Sequence, residues 1–195
     1  MGNLNGENDD VVERFDGSTW TTVSYSGDFT PVRSPAYATV GDRIFLFASC
    51  EPGKETDLDC PCNSQIVQEF DTTTDTFSRL PDMPLYGRHF SGQHAAARGQ
   101  YVYVFGGATG FSCVMSDDAA RFDSSDGSWE MLPDTMTTER KGVGSAIHDD
   151  QLFVFGGISC PEEGCDDDAC DHPGTIPNCP FVGAGTNEVG TFVGD

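Results

Sequence analysis

A pattern of about fifty residues recurs along this chain of 195 residues. One copy holds Phe70-Asp71, Phe77-Ser78-Arg79-Leu80-Pro81, Met83-Pro84, Arg88 and the run Tyr101-Val102-Tyr103-Val104-Phe105-Gly106-Gly107. The next holds Phe122-Asp123, Trp129-Glu130-Met131-Leu132-Pro133, Met136, Arg140 and Leu152-Phe153-Val154-Phe155-Gly156-Gly157. A looser copy comes first, with Phe15-Asp16, Trp20-Thr21-Thr22-Val23, Arg33 and Ile44-Phe45-Leu46-Phe47-Ala48. Phe70 to Phe122, Phe77 to Trp129 and Arg88 to Arg140 are each 52 positions apart, and Phe15 to Phe70 is 55. A period in this range denotes a propeller or solenoid of near-identical units.

Each unit reads as strands. Tyr101 to Phe105 and Leu152 to Phe155 are unbroken apolar runs of strand length, which predicts burial on both faces. A Gly-Gly pair follows each run, where glycine permits positive φ and close backbone approach. Ala48-Ser49 stands at that place in the first copy. After each Phe-Asp pair comes a polar cluster, and its leading Asp16, Asp71 or Asp123 is expected to cap a hairpin turn through its own backbone. The next aromatic (Trp20, Phe77, Trp129) opens a short strand that Leu-Pro breaks, which suits an outer edge. Ala36 to Val40 with Arg43 to Phe47, His94 to Ala97 with Tyr101 to Phe105, and Ser145 to Ile147 with Leu152 to Phe155 form tight hairpins. They turn at Gly41-Asp42, Arg98-Gly99-Gln100 and Asp149-Asp150. The expected fold is all-β, with blades of four antiparallel strands and no helix.

These residues resemble the kelch repeat. The resemblance rests on the Gly-Gly doublet after an apolar strand, the Phe-Asp turn, the spaced aromatic with Leu-Pro, and the recurring Arg. It covers residues 11–157 and departs from the pattern at Ala48-Ser49 and after Gly157. It implies kelch-type β-propeller blades, here in an incomplete ring of about three blades. The blade pieces are 11–24, 35–80, 94–132 and 145–195, behind a disordered lead-in over residues 1–10. With strands lettered a to d from the inside out, the chain enters at strand c (Val11 to Phe15) and leaves near another strand c (Glu188 to Val193). Propellers have about four to eight blades. The expected explanation is a fragment of a longer protein. An arc capped by a partner, or two arcs that self-associate into a ring, are the alternatives.

Net charge is −22 with only two lysines, Lys54 and Lys141. Such a surface repels phosphate backbones, so no nucleic-acid partner is expected. It serves as a solubilising face, or as a surface for cations or a basic partner. No run approaches the roughly eighteen apolar residues of a membrane span. The first ten residues lack the basic and apolar regions of a signal peptide.

The eight cysteines, Cys50, Cys60, Cys62, Cys113, Cys160, Cys165, Cys170 and Cys179, all fall between a strand b and the next strand c. Each of those loops opens with Ser-Cys, at Ser49-Cys50, Ser112-Cys113 and Ser159-Cys160. An even number of loop cysteines reads as disulfides in an oxidising compartment, with connectivity left open. This points to an extracellular or secretory setting, with the cytoplasm as the alternative. A zinc site at Cys160, Cys165, Cys170 and Cys179 beside His172 is the rival, without the short Cys-x2-Cys knuckle. Calcium at Glu162, Glu163, Asp166, Asp167, Asp168 and Asp171 is another, without EF-hand order.

The resemblance implies a binding module for a protein or glycan partner, with loops carrying recognition. Arg33, Arg88 and Arg140 have two readings, as hydrogen-bonders between blades or as cations facing an acidic ligand. Some members of the wider propeller family are copper sugar oxidases or sialic acid epimerases. A copper centre needs converging ligands, and His89, His94, His148 and His172 show no chelating spacing. No Gly-x-Ser-x-Gly elbow is present. The chain is expected to be no enzyme, with neither catalytic residue nor cofactor, unless a site lies on further blades. Ubiquitin-ligase adaptors of the kelch type carry a helical domain, for which this sequence has no segment.

Overall fold

A computed structural model describes residues 11–32, 35–47, 65–85, 93–109, 114–133, 136–159, 182–183 and 188–191. The fold is all-β. The described strands are β1 (Val12–Phe15), β2 (Trp20–Val23), β3 (Ser26–Gly27), β4 (Ala36–Val40), β5 (Arg43–Phe47), β6 (Val67–Asp71), β7 (Thr76–Leu80), β8 (Gln93–Arg98) and β9 (Tyr101–Gly106). There follow β10 (Ala108–Thr109), β11 (Val114–Met115), β12 (Ala119–Asp123), β13 (Trp129–Met131), β14 (Gly144–His148), β15 (Gln151–Phe155), β16 (Ile158–Ser159), β17 (Val182–Gly183) and β18 (Glu188–Thr191).

Two antiparallel meanders repeat one topology. The first sheet carries β4, β5, β6 and β7 in sequence order, and the second carries β8, β9, β12 and β13. A third sheet has β14, β15 and β18, and the β1–β2 hairpin stands alone. Local chemistry sets the hairpins. Gly41 and Gly99 take φ of 60° and 57° at the first central turn position, where a type II′ turn places glycine. Asp149 and Asp150 both have positive φ, 46° and 59°, as a type I′ turn requires of both central residues.

The sheets stack face to face, and the period-2 alternation of each strand decides which side chains fill each gap. Val12 and Val23 of the hairpin pack toward Phe70 and Phe77 of the first sheet. The opposite face of that sheet, with Ala36, Ala38, Phe45, Phe47 and Val67, meets Ala95, Val102, Val104, Ala120 and Phe122 of the second. The far face of the second sheet, with Tyr103 and Phe105, meets Leu152 and Val154 of the third. Burying each large apolar side chain contributes about 1.5–3 kcal/mol.

Two expectations need correction. The strand opened by Phe77 is not an outer edge, because β3 pairs with β7 in parallel, Ser26 opposite Thr76 and Gly27 opposite Phe77. Glycine permits it: a Cβ at Gly27 would run into the Phe77 carbonyl oxygen. Strand β15 is not buried on both faces. Its Phe155 is 45% exposed, because the face that carries Phe153 and Phe155 points away from the second sheet. Strand β9 has both faces buried, as its pattern predicts. The third apolar run differs from it in having, among the described residues, a packed neighbour on one side only. Strand β18 (Glu188–Thr191) falls on the expected Glu188 to Val193, whose last two residues lie outside the described residues.

Candidate functional site

The first strand of each meander lies at the end of its sheet, and β4, β8 and β14 run side by side. Between them is a cleft of about 380 Å³, bounded by Tyr37 of β4, Gln93 and His94 of β8, and Ser145 and Ile147 of β14, over a floor of alanines. Small side chains let the three strands approach: Ala36 and Ala38, Ala95 to Ala97, Gly144 and Ala146.

Register explains why two polar groups meet. His94 lies opposite Phe105 in the second sheet, on the face toward the third. Ser145 lies opposite Val154, on the face toward the second. Their Nδ1 and Oγ atoms are 2.9 Å apart across the junction. Half-buried beside Phe105, the His94 imidazole is pushed below its ordinary pKa by desolvation, which keeps it neutral at physiological pH. Gln93 faces the other way, and its Nε2 donates to the Phe47 carbonyl at 2.7 Å, joining first and second sheets. Tyr37 is 71% exposed. Every described residue lining the cleft is uncharged, in a chain of net charge −22. The arrangement offers an aromatic ring, a small apolar floor and a hydroxyl–imidazole pair. A hydroxyl beside an imidazole is also the arrangement of a nucleophile and its base. A third group normally orients the base, and among the described residues no carboxylate is bonded to the His94 ring.

Of the three recurring arginines, Arg140 is fully buried. Its carbonyl accepts the Gly107 N–H at 3.0 Å, and its guanidinium donates to the Gly156 carbonyl at 3.2 Å. It thus links the glycine doublets of successive repeats, as a hydrogen-bonder between sheets would. Arg33 and Arg88 lie outside the described residues. Gly106, Gly107, Gly156 and Gly157 all have positive φ. A Cβ on Gly157 would meet the Lys141 carbonyl oxygen at 2.8 Å and Val143 Cγ1 at 2.7 Å. Trp20, Phe77 and Trp129 each pack on the preceding Phe of their hairpin, with ring centroids 5.0 Å apart for Phe15–Trp20, 4.7 Å for Phe70–Phe77 and 5.0 Å for Phe122–Trp129.

All eight cysteines, His89, His172 and the acidic loop from Glu162 to Asp171 lie outside the described residues. Short ladders, β10 with β11 and β16 with β17, join the chain on either side of the loops that hold Cys113 and Cys160 to Cys179. Among the described residues no group of three or more His, Cys, Asp or Glu is placed to hold a metal, and no helix is long and apolar enough to cross a membrane.

The sequence reading weighed His94 only as a metal ligand and did not single out Tyr37, Gln93 or Ser145. A signal was present. The inner strands are rich in Ala and Gly, so the few larger polar side chains among them stand out. Arg43 was also missed. It donates to the Ser124 carbonyl at 2.9 Å and lies 3.3 Å from Glu69, tying the second sheet's turn to the first.

No protein-family model matches the chain, and no curated protein sequence matches it significantly.

Proposed function

We propose that the stacked sheets are blades of a kelch-type β-propeller arc, and that the chain is a binding module for a neutral glycan at the cleft between its inner strands. The observation that carries this reading is the cleft itself: its described lining residues are uncharged, with the exposed Tyr37 on β4 and the His94–Ser145 pair between β8 and β14. A sugar presents an apolar C–H face and a rim of hydroxyls. The first suits an aromatic ring, and the second suits groups that both donate and accept. A volume of about 380 Å³ lies at the small end of ligand sites, enough for one or two sugar residues. The uncharged character of the described lining favours a neutral ligand over an acidic one, which the surrounding acidic surface would repel.

The cysteine loops fit the same setting. Disulfides among the eight cysteines would suit a module working outside the cytoplasm. A denaturing thiol titration that finds eight free thiols in protein made under oxidising conditions overturns that part.

Calorimetric titration with neutral and acidic oligosaccharides tests the ligand class. Neutral sugars are expected to bind with Kd near the mM to µM range, and Tyr37→Ala should weaken binding about tenfold. Binding by acidic sugars alone, or an unaffected Tyr37→Ala, contradicts the reading.

A further inference from the structure

The two outermost faces of the sheet stack carry the two halves of a junction already present inside it. Within the chain, Phe45 and Phe47 of the first sheet pack edge-on against Phe122 and Trp129 of the second. Ring centroids lie 5.5 Å apart for Phe45–Phe122, 6.0 Å for Phe47–Phe122 and 5.7 Å for Phe47–Trp129. Phe153 and Phe155 occupy the positions of Phe45 and Phe47 in the third sheet: in strand register, Phe155 lies opposite Gly144 as Phe47 lies opposite Ala36. Phe15 and Trp20 occupy the positions of Phe122 and Trp129, each pair facing across its hairpin. Inside the stack, Phe45, Phe47 and Phe122 are buried and Trp129 is partly so. At the ends of the stack, Phe15 is 49%, Trp20 64% and Phe155 45% exposed.

We propose that copies of this chain associate head to tail, with Phe153 and Phe155 of one copy packing on Phe15 and Trp20 of the next. The interface continues the internal sheet-on-sheet junction by one more step, using the same residue types at the same register. Contact of unlike faces is heterologous, so it closes into a ring or extends, according to the rotation per step. Each copy carries a charge of −22, so association opposes electrostatic repulsion. It should therefore strengthen with salt, which shortens the Debye length to about 3 Å at 1 M.

Sedimentation equilibrium of the full chain tests this with two surface variants, Trp20→Ser and Phe155→Ser. Each changes an exposed side chain, and circular dichroism checks that each stays folded. Wild type is expected to form dimers or larger species at about 100 µM, a concentration that populates even weak interfaces, and more so at 1 M salt. Each variant alone should be monomeric. Mixed, they should form a 1:1 pair and nothing larger, because one intact head meets one intact tail. A wild type that stays monomeric at both salt concentrations overturns the proposal, as does a dimer that survives either single substitution. A mixture of the variants that stays monomeric also overturns it.

Discussion

The Arg140 guanidinium donates to the Gly156 carbonyl at 3.2 Å from a fully buried side chain. The Arg140 carbonyl meanwhile takes the N–H of Gly107, one repeat earlier. One residue thus holds two glycine doublets in register. Arg140→Met keeps much of the volume and removes the donor, leaving the partly buried Gly156 carbonyl without that partner. Such a loss costs about 1–3 kcal/mol, and urea unfolding should show a midpoint lowered accordingly. Arg140→Lys should recover only part of it, since an ammonium lacks the planar fork of donors.

The doublets should tolerate side chains unequally with turn glycines. Gly157 has φ of 89°, and an added Cβ would press on Lys141 and Val143. Gly17 has φ of 98° with nothing within 4 Å of the same position. Gly157→Ala should therefore cost about 3 kcal/mol or more, combining backbone strain with overpacking. Gly17→Ala should cost about 1–2 kcal/mol from strain alone. Thermal unfolding of the two variants separates these contributions.

Three carboxylates cap the same turn in successive repeats. Asp16 Oδ1 accepts from the N–H groups of Ser18 and Thr19, both at 2.8 Å. Asp71 accepts from the Thr73 hydroxyl and N–H, and Asp123 from the Ser125 hydroxyl and N–H. The bonds hold all three below the usual carboxylate range. A depressed folded pKa gives stability that is present above the unfolded value of about 4 and lost as pH falls through the folded one. Urea midpoints should thus decline from pH 5 to pH 3. In Asp71→Asn, which keeps the acceptor oxygen and cannot ionise, that decline should be shallower.

His94 acts on a different pH window. Burial lowers its folded pKa, so its contribution is present above the unfolded value of about 6.5 and lost as pH falls through the lower folded value. Ligand affinity should be flat from pH 8 to 6.5 and fall at more acidic pH, as the imidazole charges and the bond to Ser145 changes character. His94→Gln should remove the acid limb. An unchanged acid limb in that variant would place the titrating group elsewhere.

Much of the fold was legible because strand pairing here is local. The hairpins from Ala36 to Phe47, Gln93 to Gly106 and Gly144 to Phe155 follow from apolar runs broken by turn residues. Asp16, Asp71 and Asp123 announced their turns by chemistry alone. Two things were not legible. Strand β3 depends on Gly27 lying flat against Phe77, a non-local approach that composition does not encode. Phe155 sits in the same apolar run as its buried counterparts Phe47 and Phe105, and its exposure depends on which faces the neighbouring sheets cover. The cleft was hidden for a related reason. His94 and Ser145 belong to different sheets and meet only because the stack turns their faces toward each other, whereas sequence spacing shows periodicity within strands and not contact between sheets.

The central claim is that the inner strands form the binding surface, and nuclear magnetic resonance tests it most directly. On titration with a neutral oligosaccharide, the backbone amides of residues 36–37, 93–97 and 145–147 should shift together and saturate at one affinity, and Tyr37→Ala should move that saturation to about tenfold higher ligand concentration. Shifts confined to residues outside β4, β8 and β14, with the inner strands silent, would contradict it.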